Sequence, residues 1–281
     1  MTIRRGTQRV WPWLRPLVAL AIPAGLLSGQ GVPPPEDPVP LHDTMAVASR
    51  ALGEARSINV HTPPGYDASS TIRFPALYMP DGGLDEDFPH VVHTVDSLID
   101  LGAIRPVIVV GVPNTERRRD LTGPTRFAED SAIAPRVGGS AAFRRFLRDE
   151  LIPAVDARYR TTDERAIVGE SLAGLFVVET FLADPALFDH YVALDPSVWW
   201  NGGALVDSAP ARLAALDAAP RTLFLASSDV TDIADGTARL AALLRTASPG
   251  GLAWGYAPRP DLTHATIFRA LGPAALASAL R

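Results

Sequence analysis

Residues 165–182 read RAIVGESLAGLFVVETFL. An apolar strand (RAIVGE) runs directly into an apolar helix, and one hydroxyl, Ser171, stands at the joint. The residues two before and two after it are Gly169 and Ala173. A nucleophile elbow requires this arrangement: the serine takes a strained backbone conformation on a tight turn, so its flanking neighbours must be small to pass each other. The competing reading is an ordinary strand-to-helix joint that contains a serine. The rest of the chain has to decide between them.

Working outward, strands and helices alternate. MAVASRAL and ARSINVHTPPGY read as two strands, the second closed by the Pro63, Pro64, Gly65 turn. RFPALYMPDGG is a buried strand ending in glycines, residues 87–101 carry apolar residues at helical spacing, and RPVIVVGVP is a β-branched run suited to a strand covered on both faces. A polar, irregular stretch from Asn114 to Gly139 follows, longer than ordinary connections and therefore expected to be functional or disordered. Then come the helix SAAFRRFLRDELIPAVDARY, the elbow, the strand HYVALDPS, a helix near 204–218, the strand RTLFLASS, a helix near 234–246, the strand LAWGYAP, and a helix after His264. This order predicts an α/β fold, a mostly parallel central sheet with helices on both faces. Function in such sheets sits in the loops at the C-terminal ends of the strands.

The first residues differ from this body. Arg4, Arg5, Arg9 and Arg15 flank the apolar run LVALAIPAGLL at 17–27, which is followed by SGQG and the proline-rich VPPPEDPVP. A basic flank, a short apolar core and small residues predict a signal peptide over 1–31, a linker over 32–42, and a catalytic domain over 43–281. The apolar run is too short for a comfortable span, with an uncleaved N-terminal anchor as the rival reading. Export to the periplasm or the exterior is the expectation, with no stable membrane association once the segment is removed. Beyond those four arginines, 22 basic residues face 31 acidic ones, a net charge of −9 that disfavours nucleic acid as a partner. All the basic residues are arginine, and there is no cysteine.

A serine hydroxyl needs a base to take its proton. Of the six histidines, His42, His61, His90 and His93 lie early, on the linker, a strand or a helix, and His190 opens a strand at the end away from the active edge. His264, in RPDLTHATIF, follows the last strand in a polar loop, where the order serine, acid, histidine puts the base. The acid is expected after the strand RTLFLASS, with Asp229 first, Asp232 and Asp235 next, and Asp261 in the histidine's own loop. A serine–histidine dyad without an acid stays open as well. For the oxyanion, Leu172 N–H is one donor, and Asp81-Gly82-Gly83 should supply the other, Gly83 before Gly82. Arg117 and Arg119 on the long loop are candidates to face an anionic or catechol-rich substrate, and Trp199 and Trp200 to wall an acyl or aromatic pocket. Solvated arginines and core tryptophans are the competing readings. No motif calls for a metal, a nucleotide or any other cofactor.

YMPDGG, VGVPNTERRRDLT, FRRFLRDELIPAVDARYR, VGESLAGL, FDHYVALDPSVWWN and THATIF together resemble an esterase family of α/β-hydrolases. It includes esterase D, siderophore trilactone esterases, feruloyl esterases and mycolyltransferases. The resemblance runs from about residue 46 to 275 and is nearest to the siderophore branch, through Asn114-Thr115-x-Arg117-x-Arg119-Asp120 and Pro196-Ser197 ahead of Trp199-Trp200. It implies Ser171 as nucleophile and His264 as base. Ala173 replaces the usual glycine, and Leu262 stands near the histidine where a glutamate is often found. The function expected is hydrolysis of a small-molecule carboxylic ester through an acyl-serine. The alternatives are transfer of the same acyl group to another alcohol and a non-catalytic binding protein on a hydrolase fold.

Overall fold

In the computed structural model, residues 37–281 are described, so the expected signal peptide and residues 32–36 of the expected linker lie outside them. Eight strands form one sheet in the order β1-β2-β4-β3-β5-β6-β7-β8. The strands are β1 (Asp43–Ser49), β2 (Glu54–His61), β3 (Phe74–Pro80), β4 (Ile108–Val112), β5 (Thr161–Glu170), β6 (His190–Leu194), β7 (Arg221–Ser227) and β8 (Leu252–Pro258). Only the pairs β1–β2 and β2–β4 are antiparallel, and every pair from β4 through β3 to β8 is parallel. The mostly parallel α/β-hydrolase sheet expected from the sequence is the one observed.

The helices are α1 (Phe88–Asp100), α2 (Arg117–Leu121), α3 (Ala128–Ala132), α4 (Ser140–Phe146), α5 (Ile152–Arg158), α6 (Ser171–Ala183), α7 (Trp200–Ala214), α8 (Thr231–Ala247) and α9 (His264–Ala279). The single helix expected over 140–159 is interrupted by a wider π turn at Leu147–Leu151, between α4 and α5. Two short helices, α2 and α3, occupy the stretch expected to be irregular.

The period-two alternation of the central strands splits their side chains between two cores. Phe74, Ala76 and Tyr78 of β3, with Ile108, Val110 and Val112 of β4, face a core closed by Phe143 and Phe146 of α4 and by Phe176 and Val177 of α6. Leu77 and Met79, with Val109, face the other core, which Val91, Val92 and Val95 of α1 and Ile267, Phe268 and Leu271 of α9 cover. Helix α6 buries ten of its thirteen residues because it is packed within the first of these cores, which explains why its sequence is apolar all round.

The stretch up to His42 was expected to be a linker, yet its described part is pinned to the body. Asp37 pairs with Arg269 of α9 at 2.7 Å, and the Pro38 carbonyl accepts from His93 Nε2 of α1 at 2.8 Å. The Leu41 carbonyl accepts from His61 Nδ1 of β2 at 2.7 Å. Among the described residues, no helix is long and apolar enough to cross a membrane.

Candidate active site

Strand β5 ends at Glu170, and Ser171 opens α6 with a φ of 57°. For a residue bearing a Cβ, this left-handed conformation costs on the order of 1–3 kcal/mol and persists only where the surroundings impose it. The surroundings do so here: a Cβ added to Gly169 would lie 2.6–2.8 Å from Ala173 C, O and Cβ, so strand and helix approach to the limit of contact beside the serine. The small residues flanking Ser171 are therefore a steric requirement of the turn.

His264 is the first residue of α9, whose N-cap Thr263 forms a capping box with Thr266. That cap fixes the start of the helix and brings His264 Nε2 to 3.2 Å from Ser171 Oγ. The other ring nitrogen, Nδ1, donates to Asp195 Oδ2 at 2.6 Å. Asp195 is fully buried and follows β6 directly, with a φ of 46°. Its carboxylate also accepts from Ser228 N–H at 2.6 Å and Ser228 Oγ at 2.7 Å. Burial alone would raise the Asp195 carboxyl, but the bonds from His264 and Ser228 outweigh it and hold it below the usual carboxylate range. The bond to Asp195 raises His264 above the ordinary imidazole value; desolvation and Arg117 work against this, Glu170 and the Asp195 charge with it.

This corrects the expected acid. Asp229, the first candidate, is exposed, and what it gives the site is a backbone N–H donated to the Leu262 carbonyl at 2.9 Å. Asp232 and Asp235 lie exposed on α8, which starts three residues earlier than expected, and Asp261 is paired with Arg259. The physical reason is the strand order: β6 lies next to β5, so the residue that closes β6 emerges beside the elbow, whereas β7 is one strand further out. The clue in the sequence was an aspartate closing the buried run YVAL, at a position where a charge is tolerated only if it is paired. Ser197 and Ser228 were also missed. Ser197 Oγ lies 3.4 Å from Ser171 Oγ, and Ser228 holds Asp195.

Leu172 follows Ser171 in the first turn of α6, where backbone amides point along the helix axis and favour an anion. The other loop is adjacent, since β3 pairs with β5. Gly82 has a packing reason: its added Cβ would sit 2.2–2.4 Å from the backbone of Gly111 and Val112. Gly83 N–H, the expected second donor, is bonded to Glu86 Oε2 at 2.7 Å. Asn114 Nδ2 holds this loop by donating to Asp81 Oδ1 at 2.5 Å and Glu86 Oε1 at 2.6 Å.

The four expected substrate-facing residues separate. Arg117 forks onto Asp81 with two bonds of 2.7 Å, close enough to His264 for its charge to act on the ring. Arg119 is turned away into a network with Glu54, Asp120 and Glu116, where its bonds help hold Glu54 down at about 2. Trp200 is buried and donates Nε1–H to the Gly123 carbonyl at 2.8 Å, so it is a core anchor and not a pocket wall. Trp199 is 39% exposed and lines an open groove of about 370 Å³ with Val198, Gly202, Val206 and Arg239. Among the described residues, no group of histidine, aspartate and glutamate is arranged to hold a metal ion.

A buried carboxylate, an imidazole oriented by it, and a serine on a strained strand-to-helix turn define the serine-hydrolase arrangement on an α/β-hydrolase sheet. The family described as "Putative esterase" matches residues 49–229, more than half of the chain, and the chain belongs to it. The ferri-bacillibactin esterase BesA of Bacillus subtilis is 34% identical over 109 residues, which cover 34% of this chain and 38% of that protein. The siderophore triacetylfusarinine C esterase of Aspergillus fumigatus is 34% identical over 115 residues, 37% of each chain. The aligned segment thus spans well under half the length of these relatives. Among solved structures, an IroE-like serine hydrolase from Shewanella oneidensis superposes with a TM-score of 0.77 at 26% identity, covering 85% of this chain and 79% of that one. The siderophore hydrolase EstB of Aspergillus nidulans shares the fold, with a TM-score of 0.72 at 19% identity, over 86% of this chain and 95% of that one.

Proposed function

We propose that this protein hydrolyses carboxylic esters through an acyl-serine intermediate. The observation that carries the reading is the continuous hydrogen-bonded chain Ser171 Oγ, His264 Nε2, His264 Nδ1, Asp195 Oδ2, at 3.2 and 2.6 Å, on a serine with a φ of 57°. His264 takes the proton from Ser171 Oγ as the oxygen attacks the ester carbonyl carbon. Asp195 fixes the Nδ1–H tautomer and stabilises the imidazolium that forms. The oxyanion is received by Leu172 N–H together with Gly83 N–H, which exchanges its bond to Glu86 for one to the substrate oxygen. The tetrahedral intermediate collapses as His264 gives its proton to the departing alcohol. Water, deprotonated by His264, then attacks the acyl-enzyme, and the second tetrahedral intermediate collapses by breaking its bond to Ser171 Oγ, which takes the proton back from His264 as the acid leaves.

A siderophore-type ester is the substrate class we propose, supported by relatives named as esterases of ferri-bacillibactin, triacetylfusarinine C and enterobactin. We also propose export, on the strength of the four arginines and the apolar run at 17–27. The test is a panel of p-nitrophenyl butyrate, a feruloyl ester, a catecholate trilactone and a trihydroxamate triester. Hydrolysis that disappears in Ser171→Ala supports the esterase reading, and a trilactone or triester preference of a hundredfold or more supports the siderophore reading. A folded protein inactive on all four overturns the first, and a flat profile overturns the second.

A further inference from the structure

The residue between Gly169 and Ser171 in the elbow is Glu170, and the mechanism above makes no use of it. It is the last residue of β5, its Oε1 is buried, and that atom has no hydrogen-bond partner. An ionisable oxygen left unpartnered beside a nucleophile is costly and calls for a role. The charged groups acting on it come from three elements: His264 of α9, Asp195 after β6, and Asp81 and Asp87 between β3 and α1. His264 favours the Glu170 anion, and the three carboxyls oppose it. Arg117, whose charge reaches His264 and Asp87, is committed to Asp81 through two bonds. Asp81 is thus paired with Arg117 and Asp195 with His264, which leaves Glu170 and Asp87, of these four carboxyls, with no ion pair among the described residues.

We propose that Glu170 is the specificity-determining residue of this site, disfavouring substrates that carry negative charge near the scissile bond and admitting neutral or cationic ones. The inference rests on the esterase reading and narrows its substrate class: a hydroxamate-type ester, uncharged around the metal, suits this edge, and a polyanionic catecholate complex does not. Burial, reinforced by Asp87, Asp195 and Asp81 and offset by His264, pushes the Glu170 carboxyl up to about 8. Burial and Asp81 push its neighbour Asp87 up to about 6. Glu170 is consequently a neutral acid at pH 6.5 and an anion at pH 9, and the exclusion of anions strengthens between these values. A unit charge appearing several ångströms from a substrate carboxylate in a partly desolvated cleft is worth about tenfold in relative rate.

The experiment compares kcat/KM for p-nitrophenyl butyrate with that for mono-p-nitrophenyl glutarate, the same leaving group on a neutral and an anionic acyl chain, from pH 6.5 to 9. Titration of His264 affects both esters and cancels in the ratio. The neutral-to-anionic ratio is expected to rise about tenfold between pH 6.5 and pH 9 in the wild type, as the Glu170 carboxyl ionises. In Glu170→Gln it is expected to stay near the wild type's pH 6.5 value throughout. A wild-type ratio near one at pH 9, a ratio that does not change with pH, or a Glu170→Gln ratio that follows the wild-type curve would each overturn the proposal. The wild-type pH series stands as a test even if the variant fails to fold. Failure of the underlying esterase reading is distinguishable, because neither ester would then be turned over.

Discussion

Replacing Asp195 by asparagine, beside the same change at Asp229, separates the observed geometry from the expectation drawn from the order of residues along the chain. Asp195 makes a 2.6 Å bond to His264 Nδ1 and is held by two Ser228 donors. A hydrogen bond to a charged group contributes about 1.5–3 kcal/mol, and in the transition state the imidazole bears the full positive charge that this carboxylate faces. Losing that bond alone slows turnover by about 10- to 150-fold. An asparagine can also present its N–H₂ to Nδ1, favouring the tautomer whose Nε2 carries the proton and cannot accept one, which takes the total loss to as much as about 10⁴. Asp229 is exposed, and the contact it gives the site is its backbone N–H to Leu262, which asparagine retains, so Asp229→Asn should stay within about twofold. The assay is kcat/KM on p-nitrophenyl butyrate, with near-ultraviolet circular dichroism to establish that both variants are folded. An Asp195→Asn protein with more than a tenth of wild-type activity, or an Asp229→Asn protein that loses a hundredfold, refutes the assignment of the acid.

Because His264 acts as a base only when neutral and its bond to Asp195 raises it, the acid limb of kcat/KM should have its midpoint above the ordinary imidazole value of about 6.5 and move down in Asp195→Asn; an unmoved limb argues against the pairing. Gly169→Ala forces a Cβ to within 2.6–2.8 Å of Ala173 and should cost about 1–3 kcal/mol in urea denaturation together with a loss of kcat, whereas a change below 0.5 kcal/mol would show that the elbow is not tight. His61 is lowered by burial but raised further by Asp96 and the Leu41 carbonyl, for a net rise. Its stabilisation is thus complete below about pH 6.5 and fades as pH rises through the folded value. The thermal midpoint should accordingly fall more from pH 6 to 8 in the wild type than in His61→Gln, and parallel curves would remove His61 from the account.

The fold was legible because the central strands alternate or run continuously apolar between glycines, and their pairing with helices leaves few topologies. The serine and its histidine were readable as well, since small flanking residues and a polar loop after the last strand are local features. The acid was not, because two strands end in aspartates, Asp195 one residue after β6 and Asp229 two after β7. Choosing between them depends on which strand lies beside β5 and on donors from Ser228, both of which are set by tertiary structure. The engagement of the long loop's arginines was not legible for the same reason. Their partners, Asp81 for Arg117 and Glu54 for Arg119, lie 36 and 65 residues away, and no local pattern announces a guanidinium already engaged. Trp200 is the same case, its indole N–H answered by a carbonyl 77 residues distant.

The most direct test of the account is the site of covalent modification by a fluorophosphonate, mapped by mass spectrometry of the digested protein. A single adduct on Ser171, absent in Ser171→Ala and slowed at least a hundredfold in His264→Gln, is the predicted result. An adduct on Ser197, whose hydroxyl lies 3.4 Å away, or no adduct on a folded protein, would contradict it.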